Sequence, residues 1–329
     1  MNFSTQANSL NRRQFCRTAA AATAALAVCP LPNIGAAEDT SKKPNWQPRY
    51  VLGSSMYGTT ALAEILPEVH KTGAEYIDLW PRRHGNQREQ VDELGVDRYL
   101  EMLAVAKVKT GAISRFDLGP FKLRDELAFA ARLRASVVIC AGNGPKNLTG
   151  AKLKEAVAEF VKKLEPQFAA AEKHGVTIGI ENHADNLIDS PDSIRWLAEL
   201  TAGKPLGIAL SPYHLPQDPQ LIAKLITDLG DRLSLIYAWE HGAGSKEKLP
   251  KEQELTQLPG RGKLDFCPIM AALVKTNFQG FTEIFMHPVP RGIPILPTTA
   301  EVTAEINRSR EYLAKCSLAA ANATATPAE

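Results

Sequence analysis

Three residues at the end of one short apolar run carry the strongest chemical signal in this chain. Glu181, Asn182 and His183 close the stretch Val176-Thr-Ile-Gly-Ile-Glu-Asn-His183, which is rich in β-branched residues and reads as a buried parallel strand that turns polar where it ends. Ligands bind at the carboxyl ends of parallel strands, so a carboxylate, an amide and an imidazole placed there face a substrate. A second glutamate, Glu283, sits in another apolar run, Phe281-Thr-Glu-Ile-Phe285. Two carboxylates from separate strands suit proton transfer, one removing a proton and the other returning it. With histidines beside them they also suit oxygen- and nitrogen-preferring divalent metals. His214, His241 and His287 follow further apolar runs, where function concentrates. His70, His84 and His174 fall on helical segments or in an early loop and read as bystanders. Arg291, in a segment stiffened by three prolines, is suited to holding a hydroxyl, carboxylate or phosphate oxygen.

These residues need a frame, and the chain supplies an alternating one. Strands are expected over 50–55, 75–80, 109–114, 136–140, 176–181, 205–210, 232–239 and 281–285. Between them lie helical spacings, among them Leu62, Ile65, Leu66 and Val69 in 60–72, a long amphipathic segment over 153–173, and helices capped by Ser190-Pro-Asp-Ser193 and Gln217-Asp-Pro-Gln220. A final helix over 299–313 closes the series, and residues 316–329 form a C-terminal tail that frays from Ala319. Eight strands alternating with helices over residues 50–315 predict an α/β fold, a single-domain (β/α)8 TIM barrel. A doubly wound open sheet is the other architecture with this alternation, but the glycine-rich phosphate turn it normally carries is missing. The period of two along a strand puts His183 on the face of Glu181, and puts Tyr237, Trp239 and His241 together with Glu240 opposed. Residues 242–266 are long for a strand-to-helix connection and read as a lid over the barrel mouth.

Composition narrows the partners. The net charge of +2 falls to −1 once residues 1–37, with Arg12, Arg13 and Arg17 and no acid, are set aside. A near-neutral body argues against nucleic acid. Asn11-Arg-Arg-Gln-Phe-Cys16, a mildly apolar run to Val28, and Gly35-Ala-Ala37 follow the order of a twin-arginine export signal, which predicts a periplasmic or secreted protein. Residues 38–49 then tether the signal to the domain. No segment is long and apolar enough to span a membrane. Beyond the signal, Cys140, Cys267 and Cys316 are odd in number and widely spaced, so neither a disulfide framework nor a thiolate zinc site is expected.

Taken together, Ile180-Glu-Asn-His183, Leu210-Ser-Pro-Tyr-His214, Pro259-Gly-Arg-Gly-Lys-Leu-Asp265 and Thr282-Glu-Ile284 resemble, in order and spacing, the xylose isomerase-like TIM barrels. That family includes sugar isomerases, sugar epimerases and the endonuclease IV group. The resemblance implies a Glu, an Asp, a His and a second Glu holding a divalent metal, manganese, zinc, cobalt or magnesium, with the two glutamates exchanging protons at a sugar carbon. Glu181 and Glu283 match the glutamates as catalytic residues and metal ligands, and His214 matches a substrate-contacting histidine. The sequence departs from the pattern at Ser211, where the Asp would stand, and at Tyr237, where the metal-binding His would stand. A metal then requires a substitute ligand from His183, His241 or Glu240, with His241 taken as the third ligand. The resemblance therefore implies a sugar isomerase or epimerase-like enzyme acting on a small carbohydrate, and the export signal places it outside the cytoplasm. His183, His214 and Arg291 would bind substrate, with Trp239 packing on the sugar face. A sugar lyase and a non-catalytic carbohydrate-binding barrel with a degenerate metal site are the alternatives, and a homo-oligomer is left open.

Overall fold

The computed structural model describes residues 46–325, so the signal expected over 1–37 and most of the tether lie outside the described residues. Eight strands close into one barrel: β1 (Arg49–Gly53), β2 (Tyr76–Leu79), β3 (Lys109–Ser114), β4 (Val137–Ala141), β5 (Thr177–Glu181), β6 (Leu206–Leu210), β7 (Leu233–Ala238) and β8 (Phe281–Ile284). Each is parallel to the next, and β8 returns to β1 with Val51 opposite Glu283. The expected TIM barrel is thus the observed one. Its strands read as unbroken apolar runs because both of their faces are covered, by the barrel interior and by the helices outside.

The outer layer comprises α1 (Leu62–Val69), α2 (Gln87–Leu94), α3 (Val96–Ala106), α4 (Arg124–Arg132), α5 (Gly150–Lys163), α6 (Glu165–His174), α7 (Pro191–Leu200), α8 (Pro219–Leu229), α9 (Lys251–Glu254), α10 (Cys267–Lys275) and α11 (Thr299–Ala325). The single helix expected over 153–173 is two, α5 and α6, because Pro166 in the first turn of α6 has no N–H for a continuous ladder. In α7, Ser190 and Ser193 form a reciprocal cap.

Three expectations at the edges of the barrel are corrected. Trp46, assigned to the tether, is part of the domain: its Nε1 donates to the Phe278 carbonyl at 2.7 Å. The last helix does not end at Leu313 but continues as α11 to Ala325, so the expected tail is largely helical. On it, Cys316 is buried and forms a disulfide with Cys267 at the start of α10. The two cysteines are 49 residues apart on packed neighbouring helices, a proximity that linear spacing does not display.

Residues 242–266 are packed rather than hinged. Gln257 is fully buried, accepts from the Trp239 indole (3.0 Å) and the His287 backbone N–H (3.2 Å), and donates to the carbonyls of Glu254 and His287. The segment expected as a lid therefore buttresses the ends of β7 and β8. Only its first residues reach the barrel mouth.

Candidate active site

The carboxyl ends of the strands open onto a cavity of ≈ 700 Å3 whose walls come from the loops after β2 through β8. Glu181 is the one glutamate in its wall. As the last residue of β5 it lies opposite Ala141 on β4 and Ala209 on β6, two small neighbours that leave room for its side chain. Asn182 fixes this corner. Its Oδ1 accepts from the Ser211 backbone N–H at 2.7 Å and its Nδ2 donates to the Ser211 carbonyl at 3.0 Å, joining the ends of β5 and β6 where regular pairing has stopped. Burial pushes the Glu181 carboxyl up to about 8, and the approach of the Ser211 hydroxyl is the one opposing influence. It has no ion-pair partner among the described residues.

Glu283 occupies a different place. It is fully buried inside the barrel and does not line the cavity. Neither of its carboxyl oxygens has a hydrogen-bond partner. Its space comes from Gly53, whose backbone is ordinary extended chain but where a Cβ would sit 2.2 Å from Glu283 Oε1. Beside it is Asp78 of β2, also fully buried, with Oδ2 accepting from the Ser114 hydroxyl at 2.7 Å. Burial raises both carboxyls, and Asp78 raises Glu283 further, as two acids in one dry space must. The Trp80 indole N–H approaches the same pair and opposes the rise, although it meets no hydrogen-bond geometry. The Tyr237 hydroxyl is buried without a partner and feels Glu283, Glu181 and Asp78 in that order after burial itself, which together hold it protonated. Above this polar floor Trp80 stacks on Phe285, with centroids 4.9 Å apart, and both rings face the cavity. Of the expected pair, Glu181 lines the cavity and Glu283 does not, although Glu181 is near enough to raise the Glu283 carboxyl further.

The histidines converge more than the sequence showed. His183 and His214 lie ring to ring at 3.9 Å, and His84 stacks on His287 at 4.6 Å. All four line the cavity, so the reading of His84 as a bystander is corrected: the loop after β2 folds back over the barrel mouth. The His214 Nε2 is buried with no partner, and burial, then His183 and His241, push its pKa down to about 2. It is a neutral ring with one unused polar atom. Burial followed by the charges of Arg291 and Arg83 brings His84 down to about 4, and His287 falls well below its usual value for similar reasons.

Trp239 borders the cavity but offers no open ring face. It is 2% exposed, with Tyr213 stacked on it at 3.9 Å and Phe285, His214 and His287 in T-shaped contact with it. Its expected role as a sugar platform is not supported by this packing. Arg291 does face the cavity, held by bonds from Nη1 to the Pro288 carbonyl and from Nη2 to Ser245. These use at most three of its five N–H donors.

The ligand set Glu181, Glu283 and His241 does not fit a metal ion. His241 is exposed at the rim with its ring on Tyr213, Glu283 lies outside the cavity wall, and the three do not bring ligand atoms within 4.8 Å of one another. The same holds for Asp78, Glu181 and Glu283. Among the described residues only Asp265, Cys267 and Cys316 are that close, and there both sulfurs are committed to the disulfide and offer no thiolate.

Asp78 is the functional-site neighbour that sequence reasoning missed. Its signal was present: one carboxylate inside the apolar run Tyr76-Ile-Asp-Leu79, a buried charge that needs a reason.

Comparison with known proteins places this geometry. The family described as xylose isomerase-like TIM barrel matches residues 66–315. Among solved structures, the chain is similar to an L-ribulose 3-epimerase, with a TM-score of 0.61 and 15% identity over 86% of this chain and 100% of that one. It is similar to an IOLI protein with a binding zinc atom, with a TM-score of 0.56 and 13% identity over 84% and 98%. It is also similar to the probable 3-DHS dehydratase AsbF from Bacillus anthracis, with a TM-score of 0.60 and 14% identity over 81% and 98%. At such identities these likenesses are of fold. No curated protein matches in sequence.

Proposed function

Because the chain belongs to the xylose isomerase-like TIM barrel family, we propose that it is a sugar isomerase or epimerase-like enzyme, moving a proton at a carbon next to a carbonyl with Glu181 as acid/base. The observation that carries this reading is Glu181 itself: a carboxyl in a cavity wall, without an ion pair, raised by burial to about 8. A base poised near the working pH has the best compromise between being ionised and being basic enough to take a carbon-bound proton. The enediolate oxygen that results needs donors or positive charge beside it. Arg291, which faces the cavity and keeps N–H donors free, supplies positive charge there. Glu283 and Asp78, buried behind the Trp80–Phe285 pair, lie outside the cavity wall, and burial holds Glu283 protonated.

Export is part of the same proposal. The twin-arginine pattern motivates it, and the Cys267–Cys316 disulfide supports it, since such bonds persist in oxidising compartments. Among the described residues no helix is long and apolar enough to cross a membrane. The burial of Glu283 away from the cavity favours one other reading, a carbohydrate-binding barrel without turnover.

The test is incorporation of solvent deuterium. A panel of pentoses, hexoses, their ketoses and their acid derivatives is incubated with the enzyme in D2O and followed by proton NMR. Loss of one carbon-bound proton signal, slowed on the order of 10²–10⁴-fold in Glu181→Gln and little changed in Glu283→Gln, is the expected result. Binding of a sugar with no exchange at any carbon would establish the binding barrel instead. Exchange that is unchanged in Glu181→Gln would remove the assignment.

A further inference from the structure

We infer that the substrate carries an anionic group, a carboxylate or a phosphate on the carbohydrate, held by a ring of cations around the cavity mouth. This deepens the reading above and rests on it for the carbohydrate. Four cationic side chains line the cavity: Arg83 after β2, Lys146 after β4, Lys246 after β7 and Arg291 after β8. Two carboxylates stand against them, Glu181 and the exposed Asp185. Glu181 is largely protonated near neutrality, so the balance is more positive than the residue types alone imply.

Arg83, Lys146 and Lys246 make no ion pair or side-chain hydrogen bond among the described residues. Elsewhere some cations are paired, as Arg88 with Glu126, Arg195 with Asp228 and Arg261 with Glu305, and others stand singly on the surface; these four are set apart by facing one cavity. Cations from four separate loops that face one cavity repel one another, and only Glu181 and Asp185 in the cavity wall, with Glu254 acting on Arg291, oppose that repulsion. An anionic ligand offsets the rest. The field is felt inside: Arg291 and Arg83 both depress His84, and Arg291 depresses His287. Arg291 is half-buried, keeps at least two N–H donors free, and is the group suited to a planar carboxylate or a phosphate oxygen. The three exposed cations act at longer range, by attraction that salt screens.

The experiment is calorimetric titration of the folded full-length chain, and of Glu181→Gln, with hexuronates, hexonates and hexose 6-phosphates against their neutral parent hexoses. The expected result is at least about tenfold tighter binding of one anionic series, weakening several-fold between low and physiological salt. It should be largely lost in the combined variant Arg83→Ala, Lys146→Ala, Lys246→Ala and in Arg291→Met. These positions are exposed or half-exposed, and a thermal melt confirms that the variants fold. The uronate and phosphate arms show which anion is meant. Neutral hexoses bound as tightly as their acids, or no binding of any anionic series, would overturn the inference. Anion preference retained in Glu181→Gln without deuterium exchange in the wild type would refute only the proton-transfer reading. Exchange on neutral sugars without charge preference would refute only this one.

Discussion

Replacing Glu181 by Gln tests the site through stability before any substrate is known. The side chain is 4% exposed and its carboxyl titrates near 8 in the folded protein, against 4.5 for an ordinary glutamate. A carboxyl whose folded pKa is raised binds a proton more tightly in the folded state. Its contribution to stability is therefore complete below about pH 4.5 and is lost as pH rises to about 8. At 1.36 kcal/mol per pH unit, carrying Glu181 costs the fold about 3 kcal/mol at pH 7 and about 5 kcal/mol at pH 9. Gln has the same shape and no charge, so it escapes this cost. Its amide leaves a buried polar group less well satisfied, a penalty of roughly 1–3 kcal/mol that does not change with pH. The slope is thus the signal and the offset is not. Urea unfolding of both proteins at pH 4, 5, 7 and 9 should show the variant gaining on the wild type by about 5 kcal/mol between pH 4 and pH 9. A difference that stays flat across this range would refute the argument that Glu181 sits uncompensated in a dry wall.

Two further substitutions probe how the frame is held. Gly53→Ala places a methyl 2.2 Å from Glu283 Oε1 and should destabilise the barrel by roughly 1–3 kcal/mol. The loss should be largely recovered in the double variant with Glu283→Ala, as a thermal-unfolding double-mutant cycle will show; additive losses would place the crowding elsewhere. Removing the disulfide with Cys267→Ser and Cys316→Ser opens a 49-residue loop and should cost about 4 kcal/mol on the chain-entropy account. The wild type should lose the same amount on reduction and the double variant nothing, measured by denaturant unfolding with and without dithiothreitol.

The frame was legible in the sequence because a parallel barrel writes itself locally: each strand is an apolar run, each helix an amphipathic spacing, and their alternation sets the topology. Glu181, His183, His214 and Arg291 were legible for the same reason, as polar residues that follow apolar runs and so fall at the barrel mouth. What was not legible depends on contacts between distant segments. His84 belongs to a loop whose path back over the mouth no local pattern encodes. Cys267 and Cys316 meet only because α10 packs on α11. Glu283 was legible as a carboxylate within an apolar run, but its depth below the Trp80–Phe285 pair is a matter of ring packing across β2 and β8. Trp239 looked available because an aromatic at a strand end often is, and Tyr213 covers it from the neighbouring loop.

The central claim is that one buried glutamate in the cavity wall moves the proton. The most direct measurement is the pH dependence of solvent-deuterium exchange into a sugar substrate, taken as kcat/KM so that it reports the free enzyme. Glu181 acting as base predicts a rate that climbs close to tenfold per pH unit from pH 5 and levels near pH 8. A rate that has already levelled near pH 4.5, or that does not change with pH, would contradict it.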